Sequence, residues 1–167
     1  DAIGFRDMIL AHGIDVQGKQ TALLGTGGAS KAVGYALEQL GAQVQLVSRQ
    51  AKEGCITYEQ LYQEADTYQY LVNVTPVGMY PNTNDCVVDL KKFTKLAGVI
   101  DIVANPLRTK LMFEAKMLGI PCIGGFEMLV RQAFAADELF TGKKLDFSAN
   151  DACMKYLYGL KRNVVFI

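Results

Sequence analysis

Thr21-Ala22-Leu23-Leu24-Gly25-Thr26-Gly27-Gly28-Ala29-Ser30 sets an apolar run directly against a cluster of glycines and small residues, and an amphipathic stretch, 31–40, follows at once. Strand, glycine turn and helix in that order are the context that a dinucleotide-phosphate site needs. Gly25 lets the chain turn sharply. The glycines after it let backbone N–H groups approach a pyrophosphate with no side chain in the way, at the positive end of the helix dipole. Ser30 stands where the third glycine of G-x-G-x-x-G usually falls and is still small enough for close helix–strand packing. A plain strand–helix turn can carry the same residues, so the reading leans on what surrounds it.

Outward from this turn the pattern alternates. Apolar, β-branched runs at 43–48, 70–74, 99–103 and 120–123 predict four further strands. Thr57 followed by Gln60 is a capping-box pattern that opens a short helix to about residue 64. The spacing predicts further helices over 109–118, ended by Gly119, and over 127–140, closed by Gly142. Gly78, Pro81 and Asn82 predict about ten residues without regular structure after Pro76. At the amino end, Phe5, Met8 and Ile9 fall on one face of a helix that stops at Gly13. Strands alternating with helices imply an α/β, Rossmann-like fold: an open, mainly parallel twisted sheet with helices on both faces. Ligands in such sheets sit beyond the carboxyl ends of the strands.

The charge balance narrows the partners. Lys+Arg and Asp+Glu are 17 each, so there is no basic footprint for nucleic acid or anionic membrane. No apolar run approaches the ~20 residues of a membrane span, and no signal-peptide pattern is visible. Cys55, Cys86, Cys122 and Cys153 are scattered, and His12 is the single histidine, which argues against a metal site and fits a reducing, cytoplasmic setting. His12 reads as a helix-end residue.

The end of the second strand speaks to cofactor choice. An NAD site places Asp or Glu there to bind the ribose 2′-hydroxyl; this chain has Ser48-Arg49. A carboxylate would repel a 2′-phosphate, whereas Arg49 can pair with it and stack on adenine, and Lys52 adds a second positive charge. These residues favour NADP, with a solvent-facing arginine as the plain alternative.

Four blocks in order carry a resemblance: Leu24 to Val33, Val47-Ser48-Arg49, Asn73-Val74-Thr75-Pro76-Val77-Gly78-Met79, and Gly125-Phe126-Glu127-Met128-Leu129-Val130-Arg131-Gln132-Ala133. Together they resemble the cofactor domain of the shikimate dehydrogenases, over roughly residues 1–142. The resemblance implies an NADP-linked oxidoreductase that reduces 3-dehydroshikimate to shikimate in chorismate and aromatic amino-acid biosynthesis. It implies that Gly25, Thr26, Gly27, Gly28 and Ala29 cradle the pyrophosphate and that Ser48, Arg49 and Lys52 surround the 2′-phosphate. Asn73 and Thr75 would flank the adenosine side, with Met79 beyond them. Ile102, Gly125 and Met128 would border the nicotinamide, and Gln132 would reach the substrate.

Asp1-Ala2-Ile3-Gly4-Phe5 matches the motif that opens the helix leading into that domain. By resemblance, Asp1 is the catalytic aspartate: it binds a substrate hydroxyl and works beside a lysine of an amino-terminal substrate domain to which nothing here corresponds. The chain therefore reads as the cofactor part of a longer polypeptide: an interdomain helix at 1–13, a cofactor domain at 14–142, and a carboxyl-terminal helix and tail at 143–167. Its expected partners are the small-molecule substrate and that missing domain. Self-association of the isolated chain is expected too, through Phe5, Met8 and Ile9 on one helix, Met154, Leu157 and Tyr158 on the other, and the tail 164–167. One departure matters: the family commonly has a tyrosine at the position of Ala104, and that tyrosine contacts substrate. A quinate dehydrogenase paralogue preferring NAD, and a nucleotide-binding module without turnover, are the alternative readings.

Overall fold

The computed structural model describes residues 1–144 together with Ala152, Cys153, Lys155, Tyr156 and Gly159. Six strands, β1 (Gln20–Leu24), β2 (Gln43–Ser48), β3 (Cys55–Thr57), β4 (Tyr70–Asn73), β5 (Gly98–Asp101) and β6 (Cys122–Gly124), form one sheet in the order β3-β2-β1-β4-β5-β6. Every neighbouring pair is parallel. The central strands are buried on both faces, which is why they read as nearly continuous apolar runs. β3 is an addition to the expected strands; three residues are too few to show a period of two.

Helices α1 (Ala2–Ala11), α2 (Gly28–Gln39), α3 (Tyr58–Gln63), α4 (Lys110–Met117) and α5 (Gly125–Thr141) supply the outer layers. Phe5, Met8, Leu23, Val33, Leu37, Val72, Ile100 and Met128 pack together on one face. On the other, Leu61 of α3 and Leu111 and Ala115 of α4 close over Leu24, Leu71 and Val99. Thr57 and Gln60 make the reciprocal capping box at the start of α3, and Gly142, at φ 67°, ends α5 in the left-handed conformation. α2 begins at Gly28 and α5 at Gly125, earlier than apolar periodicity indicates. Glycine has poor helix propensity, so these first turns are helical by position rather than by composition.

The structure corrects the expectation for the first helix. Phe5, Met8 and Ile9 have no exposed surface; α1 lies against α2 and α5 and closes the core over the sheet. Periodicity located the apolar face, and the sheet's own core covers it, so this face is unavailable for self-association. Met154, Leu157, Tyr158 and residues 164–167 lie outside the described residues, whereas Cys153 packs against Phe126 and Val130 of α5.

Two glycines let backbones touch. A Cβ on Gly4 would stand 2.7 Å from the Met128 carbonyl oxygen, so α1 and α5 meet without a side chain between them. A Cβ on Gly125 would stand 2.0 Å from the Ile102 carbonyl oxygen. Gly125→Ala is therefore expected to lower folding stability by about 2–4 kcal/mol. Gly28→Ala, whose Cβ meets nothing within 4 Å, should change it by less than about 1 kcal/mol. Urea unfolding of both variants checks the contrast; equal losses would contradict it.

Candidate dinucleotide site at the carboxyl ends of the strands

The register brings the strand ends to one level. Leu24 pairs with Val47 and with Asn73, Asn73 with Asp101, and Asp101 with Gly124. Gly25 leaves β1 at φ 112°, held by its N–H bond to the Val47 carbonyl (2.9 Å). A Cβ there would lie 2.8 Å from the Thr75 methyl, so both the dihedral and the neighbour require glycine. Gly27 then caps α2 with no side chain, while the Ser30 hydroxyl turns back to donate to the Gly27 carbonyl (2.6 Å). The Gly28 and Ala29 N–H groups lack intrahelical acceptors, as at any helix start, whereas the Ser30 N–H bonds the Gly27 carbonyl (3.1 Å). A Cβ on Gly27 or Gly28 would meet nothing within 4 Å. The helix thus presents bare N–H groups to open space, and an anion fits there.

Two cations flank this cradle. Lys52 reaches back across the turn, and its Nζ donates to Thr26 Oγ1 at 2.9 Å. The 49–55 segment that carries it is pinned by an antiparallel bridge between Lys52 and Cys55. Arg49 is exposed just past the end of β2, where Ser48 is buried and its hydroxyl accepts from the Gln50 N–H (3.3 Å). Arg49 also faces Tyr58: burial pushes that phenol up to about 12, against the downward pull of the guanidinium. Sequence reading did not single out Tyr58.

Asn73, expected to flank a ligand, has a side chain with no exposed surface. Its Nδ2 donates to Asp101 Oδ1 (3.0 Å), and its Oδ1 accepts from the Thr75 N–H (3.0 Å) and hydroxyl (2.7 Å). Asp101, equally buried, also accepts from the Val103 N–H (3.1 Å) and, through Oδ2, from the Thr109 hydroxyl (2.6 Å). These bonds fasten the loops leaving β4 and β5 to each other and to the start of α4. Burial pushes the Asp101 carboxyl above its ordinary 3.8, opposed by the bonds from Thr109, Val103 and Asn73. Asp101 and Thr109 are the residues that site reasoning missed. An acid inside the apolar run 99–103 was the available signal.

At the nicotinamide side of such a site, Ile102 is half-buried and Gly125 fully buried. Met128 belongs to the core, while Met79 stays 45% exposed. Asp1 occupies the N-cap position of α1 without a side-chain capping bond. Gly4, one turn along, would place a Cβ 3.1 Å from Gln132 Cβ, which sets the amino end of α1 beside Gln132. The other end is tied down by Glu127, whose Oε2 lies 2.6 Å from His12 Nε2 and whose Oε1 accepts from Arg131 Nε (2.8 Å) and Nη2 (2.7 Å). His12 is thus a helix-end residue bound to Glu127. Among the described residues no group of three or more His, Cys, Asp or Glu side chains could hold a metal. Two hollows, of about 480 and 440 Å³, lie beside Tyr62, Cys86 and Glu114 and beside His12, Tyr70 and Cys122. Neither touches the glycine turn.

A parallel sheet of this order, with a glycine turn where the chain reverses between β1 and β4, defines a dinucleotide-binding domain of the Rossmann class. No protein-family model matches the chain. Among curated proteins, the NADP(+) shikimate dehydrogenase of a Clostridium perfringens strain is 35% identical over 162 residues, covering 90% of this chain and 59% of that protein. A chorismate mutase/shikimate 5-dehydrogenase fusion protein from Clostridium acetobutylicum superposes with a TM-score of 0.91 at 26% identity, over 97% of this chain and 62% of that one. Shikimate 5-dehydrogenase from Thermus thermophilus, solved in complex with NADP(H) and shikimate, gives 0.79 at 28% identity, over 93% and 61%. The chain is similar to NADP(+) shikimate dehydrogenases over about nine-tenths of its own length, and it spans about three-fifths of the length of those relatives.

The raised Asp101 carboxyl has a measurable consequence. The folded state keeps this proton above pH 3.8, where the unfolded chain releases it. The stability this group contributes is therefore present below that value and lost as pH rises through the folded one. Asp101→Asn escapes the loss, so its stability relative to the unsubstituted chain should improve as pH rises above 3.8. Urea unfolding across that range tests the sign; a relative decline would mean the hydrogen bonds outweigh burial.

Proposed function

We propose that this chain is the cofactor-binding part of an NADP-dependent shikimate dehydrogenase, an oxidoreductase that reduces 3-dehydroshikimate to shikimate. The observation that carries the cofactor reading is the open Gly27–Gly28 helix start flanked by Lys52 and Arg49. The bare N–H groups from Thr26 to Ala29, in the turn that Gly25 opens, hold the pyrophosphate. Arg49 and Lys52 neutralise the 2′-phosphate, with Ser48 shaping the strand end beneath them. Thr75 lines the adenosine side, held there by buried Asn73, and Met79 lies exposed beyond it. NADPH, when bound, supplies the hydride. Ile102 and Gly125, close-packed, form the floor beside the nicotinamide, and Met128 backs that floor from the core.

Asp1 and Gln132, at the same end of the α1–α5 pair, face the substrate. Of the two, Asp1 is the catalytic residue. Its role is to orient a substrate hydroxyl and a lysine contributed by the remainder of the enzyme, which protonates the carbonyl oxygen as hydride arrives. Among the described residues no helix is long and apolar enough to cross a membrane, and we place the enzyme in the cytoplasm. Ala104 favours a second reading within the same chemistry: without the family's usual tyrosine, a quinate-type substrate enters the same site.

Isothermal titration of the chain with NADP(H) and NAD(H) tests the cofactor assignment. Tighter binding of NADP(H) is expected, and Arg49→Ala should remove most of the preference, a loss of about ten- to a hundredfold. Equal affinities for the two cofactors would overturn it.

A further inference from the structure

We propose that the buried carboxylate of Asp101 sets the redox preference of the cofactor at this site, favouring the oxidised, cationic nicotinamide over the neutral reduced ring. This rests on the cofactor reading above and adds to it an electrostatic determinant that contacts no ligand. Asp101 is the last residue of β5, directly before Ile102, and is wholly buried. Three donors surround its oxygens: Asn73 Nδ2, the Val103 N–H and the Thr109 hydroxyl. Those donors favour the ionised carboxylate, against the burial that disfavours it. Yet the ion pairs among the described residues involve other acids, and no cation is paired with it. On the next strand its effect on the Cys122 thiol is upward and the least of four, behind burial and the opposing pulls of Lys116 and Arg108.

A buried negative charge without a cation is costly, and this one stands at the strand end over which the nicotinamide is placed. Oxidised and reduced nicotinamide differ by one positive charge on the ring and share every phosphate. The field of Asp101 therefore acts on the difference between them. A unit charge about 10 Å away, at an effective dielectric of about 25–50, alters such a ratio by roughly three- to tenfold.

The test is the ratio of dissociation constants, Kd(NADP+)/Kd(NADPH), measured by titration calorimetry on the chain and on Asp101→Asn. The substitution keeps shape and most hydrogen bonds and removes the charge. The ratio is expected to rise about three- to tenfold. A ratio unchanged while both affinities fall together would make Asp101 a loop tether alone and overturn the proposal. If Asp101→Asn does not fold, Thr109→Val decides. It removes one bond and leaves the carboxylate, so the ratio should stay within twofold, and a shift as large as three- to tenfold would show that loop position rather than charge sets it. An unsubstituted chain that binds neither form would instead strike the cofactor reading itself, and this inference with it.

Discussion

Parallel pairing fixes where this molecule can do chemistry. Because β1, β4, β5 and β6 end in register, their loops depart from one line, and each must turn in a space already occupied by its neighbours. The chain meets that crowding with glycine where backbones collide, at Gly25 against Thr75 and at Gly125 against Ile102. Where no side chain fits, none is present. Elsewhere it uses hydrogen bonds: Asn73 and Asp101 link two adjacent strand ends, and Thr109 extends the link to α4. Close packing leaves these loops little freedom to rearrange.

The same crowding separates two kinds of glycine. Gly4, Gly25 and Gly125 are required by neighbours within the protein, whereas Gly27 and Gly28 face nothing. A helix start with two side-chain-free positions, no internal contact to explain them, and Lys52 bridging to Thr26 is economical only if something outside the chain uses it. An anion is the partner that backbone N–H groups and a lysine both suit.

Much of this was legible in the residues. β2 forms over Gln43–Ser48 as its alternation indicates, and the Thr57–Gln60 box and the Gly142 stop are where their chemistry puts them. The glycine turn declared its own context. What was not legible follows from tertiary arrangement. Periodicity shows that Phe5, Met8 and Ile9 share a face but not that the sheet lies beneath it. A strand-end Asn does not show that the neighbouring strand supplies Asp101 as its partner. Tyr58 and Lys52 gain their positions from the short β3 edge, which has too few residues to announce itself.

The central claim is that the ligand lies over the carboxyl ends of the strands, against the start of α2. Backbone amide chemical-shift mapping by NMR during a titration with NADP+ tests it most directly. The largest shifts are expected at Gly27, Gly28 and Ala29, with further shifts at Arg49, Lys52 and Ile102. Little movement is expected at the amino ends of the strands. Shifts concentrated at Tyr70, Gly98 and Cys122, or around Tyr62 and Glu114, with the glycine turn silent, would contradict it.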